Sequence, residues 1–132
     1  MRRVDKSDPK TANLGVLEFR ELGFVPRRAY WISDFVTGTS RGKHAHKTLN
    51  QVMLMIKGSL ELSLSFGTFT QNIILSENSD YISIPSGYWR EMKNATKDAV
   101  LLVLADAVYD ETDYIRDWHA YIEWFESRDH ES

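Results

Sequence analysis

The chain contains no cysteine, no long apolar run and no signal-like first segment. Without cysteine it has neither disulfides nor thiolate chemistry, which fits a reducing compartment. Its longest apolar run, residues 99–105, is far shorter than the roughly 18 residues that cross a bilayer. Residues 1–10 are polar and lack the apolar stretch of a signal peptide. We therefore expect a cytoplasmic protein that does not enter a membrane.

An overall excess of positive charge is also absent. The net charge is -3, which gives no general attraction to nucleic acid or to an anionic membrane. The positive charge is instead local and surrounds two histidines in the sequence, at Arg27, Arg28, Arg41, Lys43 and Lys47. This distribution favours an anionic small molecule as the ligand and excludes nucleic acid as the expected partner.

The length of the chain, 132 residues with 42% hydrophobic content, suits one core better than two. We expect residues 1–132 to form a single domain. Residues 1–13 are polar and are predicted to be irregular. Short segments rich in apolar and β-branched residues then follow one another, separated by turns, which predicts an all-β sandwich or barrel over about 14–108. The predicted strands are residues 14–19, 28–35, 41–47, 51–57, 59–66, 69–75, 81–84, 88–93 and 99–107.

The periodicity changes near the end of the chain. Over residues 113–126 the apolar residues recur at intervals of three and four, which predicts an amphipathic C-terminal α-helix within about 111–126. Thr112 or Asp113 is available as its cap. The apolar face of this helix must pack on the barrel or on a second subunit, and we expect a homodimer.

His44 and His46 are two residues apart in a predicted strand, so both side chains project from the same face. A polar turn, Gln51 and an apolar run at 52–56 follow, which predicts that the histidine strand and the next strand are antiparallel neighbours. Imidazoles transfer protons near neutral pH. A histidine pair of this kind can also be solvent-facing or structural, and the spacing alone leaves both readings open.

The spacing around the histidines resembles that of the cupins. The first cupin motif is matched by Gly38, His44, His46, Gln51 and Gly58, and the second by Pro85, Gly87, Arg90 and Asn94. The resemblance implies a cupin-type jelly-roll barrel with an internal pocket and a C-terminal α-helix outside it.

Two positions depart from the metal-binding cupins. Gln51 stands where those proteins have a glutamate ligand, and Arg90 stands where they have a third histidine. At about 4 Å and an effective dielectric near 20, Arg90 would repel a divalent ion by roughly 8 kcal/mol. We therefore expect no metal, and a metal-dependent dioxygenase ranks last among the alternatives.

Three segments resemble one cupin family more closely, the sugar-nucleotide 3,4-ketoisomerases. They are Arg-Gly-Lys-His-Ala-His-Lys at 41–47, Trp-Arg-Glu-Met at 89–92 and Tyr-Asp-Glu-Thr-Asp-Tyr-Ile-Arg-Asp at 109–117. The resemblance implies cofactor-independent conversion of dTDP-4-keto-6-deoxy-D-glucose to the 3-keto sugar through an enediolate. The product would be used to make 3-amino-3,6-dideoxy sugars of the quinovosamine or fucosamine type. The Trp-Arg-Glu-Met segment, which contains Arg90, resembles the branch of the family whose product has the gluco configuration at C4.

This chemistry requires a base on carbon, a proton shuttle and donors to an oxyanion. We expect His44 and His46 to be the catalytic pair, with His46 as the carbon base. Hydrogen bonds to the developing oxyanion would come from Tyr30 with Arg41 or Arg90. The predicted substrate-binding residues are Arg28, Tyr30, Arg41, Gln51, Trp89 and Arg90, of which Arg28 and Arg41 would hold the diphosphate. The alternatives are a 3,5-epimerase of the same substrate and a non-catalytic cupin that binds a sugar nucleotide.

Overall fold

Two antiparallel β-sheets face each other and enclose the core. The protein is represented by a computed structural model that describes residues 2–5 and 11–129, with side chains from 11 to 128. Its strands are β1 (Arg2–Asp5), β2 (Leu14–Leu17), β3 (Arg28–Ile32), β4 (Ser40–His46), β5 (Gln51–Lys57), β6 (Ser59–Phe66), β7 (Phe69–Ser76), β8 (Ile82–Ile84), β9 (Tyr88–Lys93), β10 (Val100–Ala105) and β11 (Tyr114–Ile115). Short 3-10 helices at Phe19–Glu21 and Glu111–Asp113 and one α-helix, α1 (Trp118–Asp129), complete it. No helix in this described part is long and apolar enough to cross a membrane.

The strand pairing is that of a jelly roll. One sheet has the order β3-β10-β5-β8 and the other β11-β4-β9-β6-β7. Strand β3 pairs with β10, β4 with β9, β5 with β8 and β6 with β7, each antiparallel. This nested pairing is what a long antiparallel ribbon gives when it is rolled up. The predicted all-β jelly-roll fold with a C-terminal helix is confirmed.

The predicted pairing between β4 and β5 is wrong. The chain crosses from one sheet to the other between them. Asn50 holds this crossing, because its amide and side chain donate to Asp106 at 3.0 and 2.8 Å and its side-chain oxygen accepts from the amide of Ser86 at 3.0 Å. The crossing puts the residues of β4 and those of β5 on opposite walls of the barrel.

The N-terminal segment is more regular than its polar composition suggests. Arg2–Asp5 forms β1 and pairs antiparallel with β2, whereas residues 1–13 were expected to be irregular; the remainder of that stretch before residue 11 lies outside the described residues. Backbone pairing along a free strand edge needs no apolar side chains, so the charged residues of β1 gave no apolar pattern from which the strand could be predicted. Strand β3 also ends at Ile32, three residues before the predicted end.

The helix begins at Trp118, later than the predicted 111–113. Tyr114 and Ile115 fit the helical period but form β11, which pairs with His46 and Ala45 of β4. Asp117 then caps α1, because its carboxylate accepts from the amide of Ala120 at 2.9 Å. The apolar side of α1 packs on the outer face of the barrel in a cluster of Ala45, Trp89, Ile115 and Tyr121 with Ile122, Trp124 and Phe125.

Few polar side chains of the described part are buried, and most of them are residues that the sequence analysis assigned to the site. Most of the interior is apolar, with Met53, Leu62, Leu101 and Val103 fully buried. The buried polar or charged side chains of the described part are His46, Gln51, Ser65 and Arg90. Burying a charge is costly unless it is paired, and three of these four residues were predicted from the sequence to form the site.

Candidate active site

His44 and His46 project from one face of β4, as their spacing predicts. Their ring centroids are 4.9 Å apart and the ring planes are nearly perpendicular, at 88°. His46 is fully buried and His44 is half-buried. In both rings Nε2 is buried and has no hydrogen-bond partner among the described residues. Buried polar atoms are usually paired, so these two nitrogens indicate a place that receives a polar ligand.

Arg90 lies beside the histidines and begins a chain of hydrogen bonds to Gln51 and Tyr30 on the other sheet. It is directly opposite His44 in the pairing of β4 with β9 and is 0% exposed. Its Nη1 donates to Oε1 of Gln51 on β5, and Nε2 of Gln51 donates to the hydroxyl oxygen of Tyr30 on β3 at 3.1 Å. A guanidinium only donates, so it fixes which end of the Gln51 amide faces Tyr30. The Tyr30 oxygen therefore accepts from Gln51, and its own proton is left for another acceptor.

Asp113 and Tyr114 contact the histidines from the neighbouring strand. Oδ2 of Asp113 lies 3.2 Å from Nδ1 of His46. The ring of Tyr114 is 4.3 Å from that of His46 and 5.0 Å from that of His44, measured between centroids. Asp113 is the last residue of the 3-10 helix at Glu111–Asp113, and Tyr114 is the first residue of β11, which pairs with β4.

Both imidazoles are neutral at pH 7. Burial, with a further contribution from the Arg90 cation, lowers the pKa of His44 to about 3 and that of His46 to about 4, from the ordinary value of 6.5. Burial also lowers the pKa of Arg90, to about 10, so this residue stays charged. Burial raises the pKa of Tyr30, which keeps its hydroxyl protonated and able to donate.

A pocket at the edge of the barrel leads to His46. Arg28 stands on its rim, with its guanidinium carbon 4.7 Å from the ring centroid of Tyr30 and 5.5 Å from that of Tyr109. The pocket is lined by Arg28, His46, Thr48, Leu49, Ala107, Val108, Asp110, Asp113 and Tyr114. One permanent cation therefore lies at the entrance, where an anionic group of a ligand would meet it.

Comparison with known proteins places this arrangement in a family. The family described as "FdtA: WxcM-like, C-terminal" matches residues 1–126. The chain belongs to the FdtA family. Among its relatives, the TDP-4-oxo-6-deoxy-alpha-D-glucose-3,4-oxoisomerase of Aneurinibacillus thermoaerophilus is 35% identical over 111 residues, which are 84% of this chain and 80% of that protein.

Solved structures of similar proteins share the whole fold of this FdtA family member. QdtA, a sugar 3,4-ketoisomerase from Thermoanaerobacterium thermosaccharolyticum in complex with TDP, has a TM-score of 0.84 and 37% identity, covering 90% of this chain and 88% of that one. A 3,4-ketoisomerase from Helicobacter canadensis has a TM-score of 0.86 and 36% identity, covering 94% and 92%. The similarity therefore includes the strands that carry the buried polar residues.

The FdtA-family chain brings together most of the predicted site residues, but Trp89 is not among them. Side chains alternate along β9, so the inward position of Arg90 turns Trp89 outward. Its ring lies 5.4 Å from that of Trp118 and 5.6 Å from that of Tyr121, between centroids. In this position Trp89 anchors α1 to the barrel, and its side chain does not face the histidines.

Arg41 also lies apart from the other predicted residues. It is exposed and lines a second pocket with Ile32 and Met92. Ile32 is four residues along β3 from Arg28, a separation of about 13 Å in a strand. Gly42, at φ 74°, forms a bulge that shifts β4 against β9 between Arg41 and His44. The two arginines predicted to hold one diphosphate thus line different pockets.

The donor set does not fit the divalent metal of other cupins. Arg90 faces His44 across the strand pair and donates to Gln51, so a cation and a neutral amide stand where a metal site needs an anionic and a neutral ligand. Among the described residues, no group of three histidine, aspartate or glutamate side chains is arranged to hold a metal ion.

Sequence reasoning missed the part played by Asp113 and Tyr114. Both lie in the 109–117 segment that resembles the ketoisomerases, but the helical period there led to the prediction that Thr112 or Asp113 caps a helix. The caps are instead Asp110, which accepts from the amide of Thr112 at 3.0 Å, and Asp117. The length of the 109–117 segment was the available signal. A helix cap needs only a few residues, so a resemblance over nine residues indicated a further role for this segment.

Proposed function

We propose that this chain is a sugar-nucleotide 3,4-ketoisomerase that converts dTDP-4-keto-6-deoxy-D-glucose to its 3-keto isomer. The observation that carries the proposal is a pair of neutral imidazoles beside the donors Arg90 and Tyr30, and Nε2 of each imidazole has no partner in the part of the chain that the structure describes. The names of its relatives support the same reaction. The reaction is an isomerisation, and its substrate is a dTDP-linked sugar.

The reaction moves a carbonyl by one carbon and needs only proton transfers. A base takes the proton from C3, and the electron pair shifts to make an enediolate whose negative charge lies on the C4 oxygen. The proton of the C3 hydroxyl moves to the C4 oxygen, and C4 receives a proton from the imidazolium of the carbon base as the C3 carbonyl forms, which returns that base to its neutral state. His46 is the carbon base, and His44 carries the proton between the two oxygens. Each such transfer is worth about 10² to 10⁴ in rate.

Arg90 and Tyr30 stabilise the enediolate. Arg90 keeps its charge inside the barrel, and its Nε has no hydrogen-bond partner within the described ranges 2–5 and 11–129. Tyr30 can donate its proton because Gln51 donates to its oxygen. Fixed donors aimed at a developing oxyanion often supply the largest single contribution to catalysis, about 10² to 10³ per donor. Gln51 acts by orienting Tyr30.

Arg28 holds the diphosphate at the entrance. It lies on the rim of the pocket that leads to His46, and a guanidinium binds phosphate oxygens through paired hydrogen bonds. The side chains of Arg41 and Trp89, which were predicted to contact substrate, are not used here, because one lines the second pocket and the other packs under α1.

The setting of the reaction is part of the proposal. The product has the gluco configuration at C4, which the resemblance around Arg90 supports, and it is used in the cytoplasm for an amino sugar of a glycan such as the O-antigen of lipopolysaccharide.

The protein acts as a homodimer. Support for an interface comes from β3, an edge strand of its sheet on which Trp31 is 69% exposed.

The test is to incubate chelator-treated protein with dTDP-4-keto-6-deoxy-D-glucose in deuterated water and to follow the sugar by NMR. We expect a 3-keto product with deuterium at C4 and none at C5. Exchange at C5 would support the 3,5-epimerase instead. Binding of the substrate with no exchange at any carbon would support the non-catalytic cupin. A requirement for added iron or manganese would contradict the metal-free reaction.

A further inference from the structure

We propose that Asp113 is a positioning residue that fixes the tautomer of His46, so that Nδ1 carries the proton and Nε2 presents its lone pair to the substrate. The catalytic consequence of this inference rests on the proposed ketoisomerase function. The tautomer itself is a property of the free protein. The contact that carries it is the 3.2 Å pair between Nδ1 of His46 and Oδ2 of Asp113.

The Asp113 carboxylate is held in place by three other donors. Oδ1 accepts from the amide of Thr48 at 2.8 Å and from its hydroxyl at 2.7 Å, and Oδ2 also accepts from the amide of Leu49 at 3.2 Å. Burial raises the pKa of Asp113, but the hydrogen bonds from Thr48 and Leu49 outweigh it, and the pKa lies below its ordinary value. The group is therefore an ionised carboxylate at neutral pH, with no proton to donate.

An ionised carboxylate can only accept, so the neutral His46 ring must place its single N–H on Nδ1. In a neutral imidazole the hydrogen bond of one nitrogen sets the state of the other. Nε2 of His46 then carries the lone pair, and this is the buried atom that has no partner among the described residues. Either role of His46, base or shuttle, requires that lone pair.

The backbone around Asp113 keeps the contact in register. Its carbonyl accepts from the amide of Lys47 at 3.0 Å, and Tyr114, the next residue, pairs with His46 across β11 and β4. The ring of Tyr114 lies 4.3 Å from that of His46, which limits rotation of the imidazole. The pair of Asp113 and His46 thus has a fixed geometry before any substrate arrives.

The test is the variant Asp113→Asn in the full chain. We expect its one acceptor oxygen to stay with the two short hydrogen bonds from Thr48 rather than the longer one from Leu49, so that the NH₂ group faces Nδ1 of His46. The imidazole should move its proton to Nε2 to accept that hydrogen bond. We expect ¹⁵N NMR of histidine-labelled protein to show N–H on Nδ1 of His46 in the wild type and on Nε2 in the variant. The kcat should fall by about 10² to 10⁴, with KM changed by less than about 3-fold, because the substrate contacts remain.

The matched control is Asp117→Asn. It removes a carboxylate four residues away that caps α1 by accepting from the amide of Ala120, and in the described part of the chain this side chain does not contact either histidine. Asparagine caps helices about as well as aspartate, so both the His46 tautomer and kcat should be unchanged. Asp113→Glu keeps the carboxylate and should keep the Nδ1–H tautomer, even where its longer side chain lowers stability.

The outcomes separate the tautomer from the reaction. N–H on Nε2 of His46 in the wild type overturns the inference, and this measurement needs no variant to fold. Loss of kcat in Asp113→Asn with the tautomer unchanged also overturns it, because Asp113 would then only brace the turn after β4. A tautomer switch in a protein whose wild type does not isomerise the sugar supports the positioning role and refutes the proposed function.

Discussion

Arg90 is a buried cation that stands opposite His44 and donates to Gln51. In that place it would repel a metal ion, it lowers the pKa of both imidazoles together with burial, and it orients the Gln51 amide so that the Tyr30 oxygen accepts a hydrogen bond. The first two effects come from its positive charge, and the third comes from a side chain that donates hydrogen bonds and accepts none. At the residue scale, Arg90 therefore determines the chemistry available to the two histidines.

Gln51→Glu should reverse the direction of the Tyr30 hydroxyl. The carboxylate accepts from both Arg90 and Tyr30, so the tyrosine proton is no longer available to the substrate. We expect kcat to fall by about 10²-fold while calorimetry shows little change in TDP affinity, because Arg28 is untouched. Gln71→Glu, on the exposed face of β7, is the control and should keep full activity. Unchanged kcat in Gln51→Glu would contradict the role given to Tyr30.

The buried histidines should make the fold sensitive to acid. Their pKa values of about 3 and about 4 lie below the ordinary 6.5, so the unfolded chain takes up protons first. The stability that the neutral rings contribute is present above pH 6.5 and is lost as the pH falls toward 4. From about pH 7.5 to about pH 5, His46 should account for about 2 kcal/mol of this loss.

Urea unfolding of the wild type and of His46→Asn at both pH values measures this contribution. The variant should lose about 2 kcal/mol less than the wild type between them. His119→Asn is the control, since His119 is exposed on α1. Equal losses in the wild type and in His46→Asn would show that the ring is not buried neutral.

At the scale of elements, the sequence predicted the strands better than it predicted their partners. Alternation located β4 to β10 within a few residues, and the cupin spacing located the histidines, Gln51 and Arg90. The sequence did not show which side of the barrel Trp89 faces, because both faces of β9 carry buried side chains. It did not locate Arg41 either, because the bulge at Gly42 changes the direction of that side chain. Asp113 was missed because its contact with His46 depends on the pairing of β11 with β4. His46 and Asp113 are 67 residues apart in the sequence, so no local pattern reveals the contact.

Helix α1 is tied to the barrel by one buried hydroxyl. Tyr121 accepts from the amide of Gly67 at 2.9 Å, and its oxygen lies 2.7 Å from the carbonyl of Gly87. The amide of Gly87 in turn donates to the carbonyl of His46 at 2.8 Å. The helix thus supports the turn that adjoins the end of β4.

Tyr121→Phe should lower the free energy of unfolding by about 1 to 3 kcal/mol, because buried backbone groups lose their partner. The measurement is urea unfolding at neutral pH. Tyr81→Phe is the control, since its hydroxyl makes one long contact of 3.4 Å with the carbonyl of Glu21, and it should stay within about 0.5 kcal/mol of the wild type. A Tyr121→Phe protein as stable as the control would contradict the anchoring role.

At the scale of the whole molecule, buried apolar side chains of the described part lie on both the inner and the outer faces of the two main sheets. One apolar cluster lies between the sheets, one beneath α1, and one joins Leu22 to Val52 and Leu104 on the outside of the β3 sheet. Each of these clusters includes residues of one or both of the main sheets, which supports our proposal that the chain is a single domain that should unfold in one cooperative transition.

The proposed homodimer uses the outside of β3. Trp31 is 69% exposed on this edge strand, opposite Leu102 of β10. Trp31→Lys should convert a dimer to a monomer in light scattering after gel filtration, because a charge on an apolar interface is costly to bury. Phe69→Lys, an equally exposed apolar position on the edge strand β7 of the other sheet, is the control and should remain dimeric. A wild type that is monomeric, or a Trp31→Lys dimer, would contradict this interface.

The most direct measurement of the central claim follows the hydrogen on C3 of the substrate in deuterated water, with wild type, His44→Asn and His46→Asn compared side by side. The wild type should lose that hydrogen and gain deuterium at C4. His46→Asn should do neither, whereas His44→Asn should still exchange at C3 but form the 3-keto product at least about 10²-fold more slowly. Exchange at C3 at the wild-type rate in His46→Asn would contradict the account.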